Sequence, residues 1–194
     1  MRRKMYNRIF AVSVIIIVCL AGSLPGMGEF ASEPEASAYG AQKEIGDTYD
    51  SKFRREMLRL VNQYRREHGL REVRGSVKIR EAAKRRAEEA LKHPRLAHQR
   101  YMRNGEIGRF DTVFKEMHIS LRARGWGENL AWRGNYHGNA IIMARKFFEQ
   151  WKASPSHRMN MLQNRYTVME TAVAYDISRG RRYKAASAQL FLME

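Results

Sequence analysis

Cysteine is almost missing from this 194-residue sequence: Cys19 is the only one, and it sits in an apolar N-terminal segment. A disulfide framework is therefore excluded, and stability has to come from a packed core. Proline is sparse, with four residues, and acidic residues are in deficit, with 20 Asp and Glu against 36 Lys and Arg. Long apolar runs are lacking too. The uncharged stretch from Ile9 to Leu24 is shorter than the ~20 residues a spanning helix needs. Several catalytic signatures are absent: no G-x-S-x-G, no H-E-x-x-H and no phosphate-binding glycine loop.

What is present begins with a positive cluster, Arg2, Arg3, Lys4 and Arg8, ahead of that apolar stretch. Small residues follow at Ala21, Ser23, Gly26 and Gly28. This layout reads as a secretory signal peptide over residues 1–28, with an uncleaved signal anchor as the alternative. Val18 stands before Cys19 where a lipoprotein site wants a small residue, so Cys19 reads as an apolar signal residue. In that alternative the chain meets the membrane through this segment alone. Removing residues 1–28 takes away four basic residues and no acidic ones, leaving a net charge of +12. The expected location is secreted or associated with the cell envelope. A surface this basic suits anionic wall polymer or anionic lipid. The basic residues are scattered along helices and no nucleic-acid motif accompanies them, so nucleic acid is not the expected partner.

Residues 29–50 are polar and rich in Gly, Ala, Glu and Ser, and read as a flexible linker. Residues 51–194 then form one domain. A helix is expected from Ser51, with Phe53, Met57, Leu60, Val61 and Tyr64 at helical spacing and Gly69 as its stop. A second is expected from Ser76, with Ile79, Ala82, Ala83, Ala87 and Ala90 on one face and Arg and Lys on the other. Residues 93–109 read as irregular. Phe110–Leu121 has a third helical pattern, and Gly125–Leu130 is too glycine-rich for a helix interior. A fourth helix is expected from Asn139 to Lys152. The period then changes to two, predicting strands over Thr167–Ile177 and Tyr183–Leu192 around a turn at Ser178–Arg181. Helices around a small antiparallel sheet make the fold class α+β.

Four segments, in order and spacing, resemble bacterial members of the CAP superfamily, the cysteine-rich secretory, antigen 5 and pathogenesis-related proteins. They are the helix Met57–Arg65 with its Asn62 and Arg65, followed by Gly69-Leu70; the short Leu96-Ala97-His98; Gly127-Glu128-Asn129-Leu130-Ala131; and Trp151 followed by Ser154-Pro155-Ser156-His157-Arg158-Met159-Asn160-Met161-Leu162. Tyr166, Gln189 and Phe191 also fit. The resemblance covers residues 53–192 and implies a three-layer α-β-α sandwich with a C-terminal hairpin.

It further implies a cleft lined by His98, Glu128 and His157, each expected at an element end or in a loop. Two neutral imidazoles can take Zn or another divalent metal, with Glu128 as a ligand or as the group that orients one imidazole. The same three residues are the candidates for acid/base catalysis. Some relatives carry a second Glu where Pro155 stands here, which removes one carboxylate and weakens a two-carboxylate hydrolase. Asn129 and Asn160 read as partners of buried backbone groups, Ser154 as a helix cap with Pro155 at the first helical position, and Trp151 and Tyr166 as core. His68, His93, His118 and His137 match no motif and read as surface or packing residues. Three functions follow from this reading. The first is a non-enzymatic extracellular binding module whose cleft holds a metal or a small or lipid-like ligand. The second is an envelope-directed hydrolase, and the third is an interaction protein with a basic face and a vestigial cleft.

Overall fold

The computed structural model describes residues 47–102, 105–134, 138–176 and 184–194. The signal segment, most of the linker, the turn at 178–181 and His137 lie outside the described residues. Helix α1 spans Asp47–Glu67. It starts four residues before the expected Ser51, because Tyr49 is fully buried in the same core as Phe53 and Met57. The chain leaves α1 through Gly69, whose φ of 68° closes the turn that a residue with a side chain adopts only at a cost. A 3-10 turn, Val77–Ile79, leads into α2, Arg80–Lys92.

The central sheet has the order β3-β5-β4, antiparallel throughout, with β3 Gly125–Gly134, β4 Val168–Asp176 and β5 Lys184–Met193. Alternation along the strands divides its side chains between two cores. Met169 and Val173 of β4 and Phe191 of β5 face α1 and α4 (Ala140–Ala153). Val168, Ala172, Leu190 and Leu192 face the alanine stripe of α2 and Phe114 of α3 (Thr112–Glu116). The result is the expected α-β-α sandwich. Trp151 of α4 is completely buried, and Asn139 caps α4 by accepting hydrogen bonds from the Ile141 and Ile142 amides. Among the described residues, no helix is long and apolar enough to cross a membrane.

Three local expectations are corrected. Residues 93–109 contain a short hairpin, β1 Gln99–Tyr101 paired with β2 Ile107–Arg109, where irregular chain was expected. The third helix has five residues. His118 turns into the left-handed region at φ 53°, and the Ile119 amide reaches back to the Phe114 carbonyl, which ends the helix while Leu121 still packs on the α2 core. The glycine-rich Gly125–Leu130 is the first half of β3, paired in register with β5 from Gly125↔Met193 to Leu130↔Ala188.

Candidate functional site

Among the described residues, strand β3 is an edge strand: on one side it pairs with β5, and the other side carries no partner strand. Glu128 and Asn129 are consecutive on it and therefore point to opposite faces of the sheet. Glu128 faces α2 and Asn129 faces α5 (Pro155–Met161). The site is assembled across this edge, with His98 brought from one face and His157 from the other. Glu128 sits mid-strand and His157 within α5, so of the three expected site residues only His98 lies in a loop. Glu128, expected at an element end or in a loop, is instead mid-strand and held by sheet register, while His157, in the first turn of α5, is at an element end as expected.

The Glu128 side chain has no solvent exposure. Arg86 of α2 grips it with two bonds, Nε to Oε2 at 2.6 Å and Nη2 to Oε1 at 3.0 Å. Oε1 also accepts from His98 Nδ1 at 2.9 Å. Arg86 Nη1 donates to Glu89 at 2.6 Å and Nη2 to the Ala97 carbonyl at 3.2 Å, so the loop carrying His98 is tied to the same guanidinium. Burial disfavours the Arg86 charge, but the bonds to Glu128 and Glu89 more than offset it and hold its pKa above the usual arginine value. The His98 ring itself is 59% exposed. Its Nδ1 donates to Glu128, so in the neutral ring Nε2 carries the lone pair.

Arg86 is the residue that sequence reasoning missed, having been assigned to the solvent face of the second helix. The signal was present: Ile79, Ala83, Arg86 and Ala90 recur at the four- and three-residue spacing of one buried stripe. An arginine on such a stripe needs a buried acid, and Glu128 is that acid.

On the other face, α5 holds His157. Asn129 Nδ2 donates to the His157 carbonyl at 3.1 Å and to Gln189 Oε1 at 2.9 Å. Asn160 Nδ2 donates to the Glu128 carbonyl at 3.2 Å and to Asn129 Oδ1 at 2.8 Å. The two asparagines thus pin α5 to β3 as partners of backbone groups, as expected. Burial, and then the nearby His98, lower the pKa of His157 below the ordinary histidine value. His157 Nδ1 is buried and has no hydrogen-bond partner among the described residues. Ser154 occupies the cap position of α5 with Pro155 after it, but its hydroxyl makes no capping bond and lies 3.3 Å from that of Ser156. Glu149 is exposed on α4. His68 bonds the Tyr64 carbonyl, His93 stacks on Tyr101, and His118 ends a helix, so these three are packing or surface residues as expected.

Gly127 is required for a physical reason. A Cβ there would overlap the Tyr166 hydroxyl oxygen and lie 2.9 Å from Tyr166 Cζ and 3.2 Å from Asn160 Oδ1. Tyr166 cannot swing clear, because it is stacked on Phe191 at 5.1 Å. Gly127→Ala is expected to cost about 1–3 kcal/mol in urea unfolding. Tyr166→Phe in the same background is expected to recover part of that loss by removing the clashing oxygen. A neutral Gly127→Ala would refute this account of the glycine.

The donor chemistry suits a divalent metal in part. A carboxylate-oriented imidazole and a second, half-buried imidazole whose Nδ1 is buried and, among the described residues, unpartnered are ligand types for zinc. Both Glu128 oxygens are already engaged. Among the described residues, no group of three His, Cys, Asp or Glu side chains is placed to hold a metal. Any metal here would be held by His98 and His157, with Glu128 orienting His98 and water or a ligand completing the shell, and it would supply Lewis acidity.

An α-β-α sandwich with two histidines and a buried glutamate across its β3 edge defines a CAP-type domain. The model of the cysteine-rich secretory protein (CAP) family matches residues 58–186, and the chain belongs to that family. No curated protein matches the sequence. Among solved structures, the chain is similar to an extracellular protein containing an SCP domain from Bacillus anthracis str. Ames, at 16% identity and a TM-score of 0.54, covering 75% of this chain and 41% of that one. It is also similar to a cysteine-rich secretory protein from Staphylococcus aureus, at 13% identity and a TM-score of 0.48, covering 77% and 40%. An outer surface protein from Borrelia burgdorferi matches at 11% identity and a TM-score of 0.48, covering 72% and 91%. This chain thus spans about two fifths of the Bacillus and Staphylococcus chains.

Proposed function

We propose that this CAP protein is a non-enzymatic binding module, secreted or held at the cell envelope. In this reading the His98–Glu128–His157 cleft takes a divalent metal or a small or lipid-like ligand, and the basic surface adheres to anionic envelope polymer or lipid. The observation that carries it is the state of Glu128. Gripped by Arg86 through both oxygens and bonded to His98, it is an orienting anion and is not placed as a proton shuttle. Pro155 stands where a second acid would, so the carboxylate that a two-carboxylate hydrolase would draw from that position is missing. The two imidazoles are a ligand pair instead. The Bacillus protein is described as extracellular, in keeping with the signal layout of residues 1–28.

Zinc titration of the purified protein, beside the His98→Ala/His157→Ala double variant, tests this. Stoichiometric binding in the wild type that is lost in the double variant is the expected result. Absence of binding in the wild type would make the histidines structural and leave the basic surface as the only candidate. The pH dependence has a definite sign. Because the folded pKa of His157 is depressed, its ring stays neutral and able to ligate below the ordinary value of about 6.5. The unfolded chain takes up that proton first, so His157 makes stability fall as pH drops below about 6.5, levelling off below its folded pKa. In an NMR pH titration, His98→Ala is expected to raise the His157 pKa only part of the way to the ordinary value, since burial remains.

A further inference from the structure

A concavity lies between the C-terminal half of α2 and β1, and shares Arg86 and Ala97 with the surroundings of Glu128 and His98. Its volume is about 380 Å³, within the range of small-ligand sites. Its floor is rigid. Arg100, fully buried, donates to both oxygens of Glu89, to Glu116 at 2.5 Å and to the Thr112 hydroxyl at 3.1 Å. Arg86, on the other side of Glu89, joins this floor to Glu128. These charges are mutually satisfied and preorganise the cavity.

The wall and rim are different. His93 and Tyr101 stack at 4.4 Å and 13°, and His93 is fixed by its Nδ1 against the Arg95 carbonyl at 2.8 Å. Tyr101 is 54% exposed, too much for a packing residue, and offers an open aromatic surface. Lys92 and Arg95 line the rim, and no salt bridge among the described residues engages either. Glu88 lines the same cavity. An aromatic face takes the apolar face of a ring. The two cations suit an anionic substituent, and carboxylates accept hydrogen bonds from hydroxyls. A polynucleotide fits this set poorly, because one aromatic stack offers no continuous platform for successive bases.

We propose that this cavity is a binding site for a single pyranose ring bearing an anionic group, a carboxylate or a phosphate. The proposal deepens the reading of the protein as a binder of anionic envelope polymer, and it rests on that reading only for the source of the sugar. Nothing in it requires the cleft to bind metal.

The test uses amide NMR shifts of the full chain titrated separately with glucuronate, glucose 6-phosphate, glucose and inorganic phosphate. Saturable, millimolar-range shifts clustered on residues 92–101 with glucuronate or glucose 6-phosphate, and weaker shifts with glucose and phosphate, are expected. The stronger of the two anionic sugars identifies the source as a uronate or a sugar phosphate. Tyr101→Ala and Arg95→Glu, both at exposed positions, are each expected to weaken binding about tenfold while leaving zinc titration unchanged. Glucose or inorganic phosphate binding as well as the anionic sugars would overturn the proposal, as would saturable shifts absent from this region or insensitive to both variants. Because zinc and sugar are read separately on the same proteins, failure here is distinguishable from failure of the cleft.

Discussion

Arg86→Ala is expected to lower the free energy of unfolding by about 3–5 kcal/mol, because it leaves Glu128 charged and buried without its counter-ion. Glu128 has no exposed side-chain surface, and among the described residues the exposed His98 ring is then the only group left on its oxygens. Glu89 loses one of its two buried guanidinium partners at the same time. Urea unfolding measures the loss. Arg86→Met/Glu128→Gln, which removes both charges at similar volume, is expected to recover most of it, since a buried pair is worth far less than the cost of orphaning one member. Zinc affinity is expected to fall in Arg86→Ala, because the loop carrying His98 is also bonded to Arg86 through Ala97. A loss below about 1 kcal/mol would mean that Glu128 escapes to solvent, and the account of the site would have to change.

Arg65→Lys is expected to cost about 2–4 kcal/mol although it keeps the charge. Arg65 is completely buried in α1, and its guanidinium donates to four backbone carbonyls: Arg71 at 2.7 Å, Met161 at 2.8 Å, Gln163 at 3.0 Å and Tyr166 at 3.3 Å. Burial lowers its pKa, so the position already carries a desolvation cost that only this fan of acceptors offsets. A lysine has three donors radiating from one point and cannot span acceptors spread over two loops. Faster amide exchange over residues 161–166 in Arg65→Lys is the specific signature. Since α5 ends at Met161, loosening there reaches His157. A variant as stable and as protected as the wild type would show that the carbonyls find water instead.

The legible parts of the fold were those with a strong period. α1, α2, α4 and the last two strands appear within a few residues of their expected bounds, because their apolar stripes are long and have one way to be buried. The five-residue α3 and the β1–β2 hairpin were misread. Both are short, and their geometry is fixed by contacts with α2, such as Arg100 to Glu89, not by their own periodicity. The first half of β3 reads only as unsuited to a helix interior, because its glycines blur the strand period. Gly127 is instead small to admit Tyr166, a residue 39 positions away whose proximity no local pattern encodes.

The same division runs through the site. Sequence by itself determined the residue types, the basic then apolar order of residues 1–28, the lack of disulfides and, through four spaced motifs, the family and the candidates His98, Glu128 and His157. Tertiary structure alone decided what each can do. The pleat of β3 sends Glu128 and Asn129 to opposite faces, so two helices on opposite sides of the sheet meet at one edge. The stripe of α2 aims Arg86 at Glu128 across 42 positions of chain and fixes the carboxylate as an anchor. A buried charge takes its chemistry from its nearest partner, and that partner is set by packing.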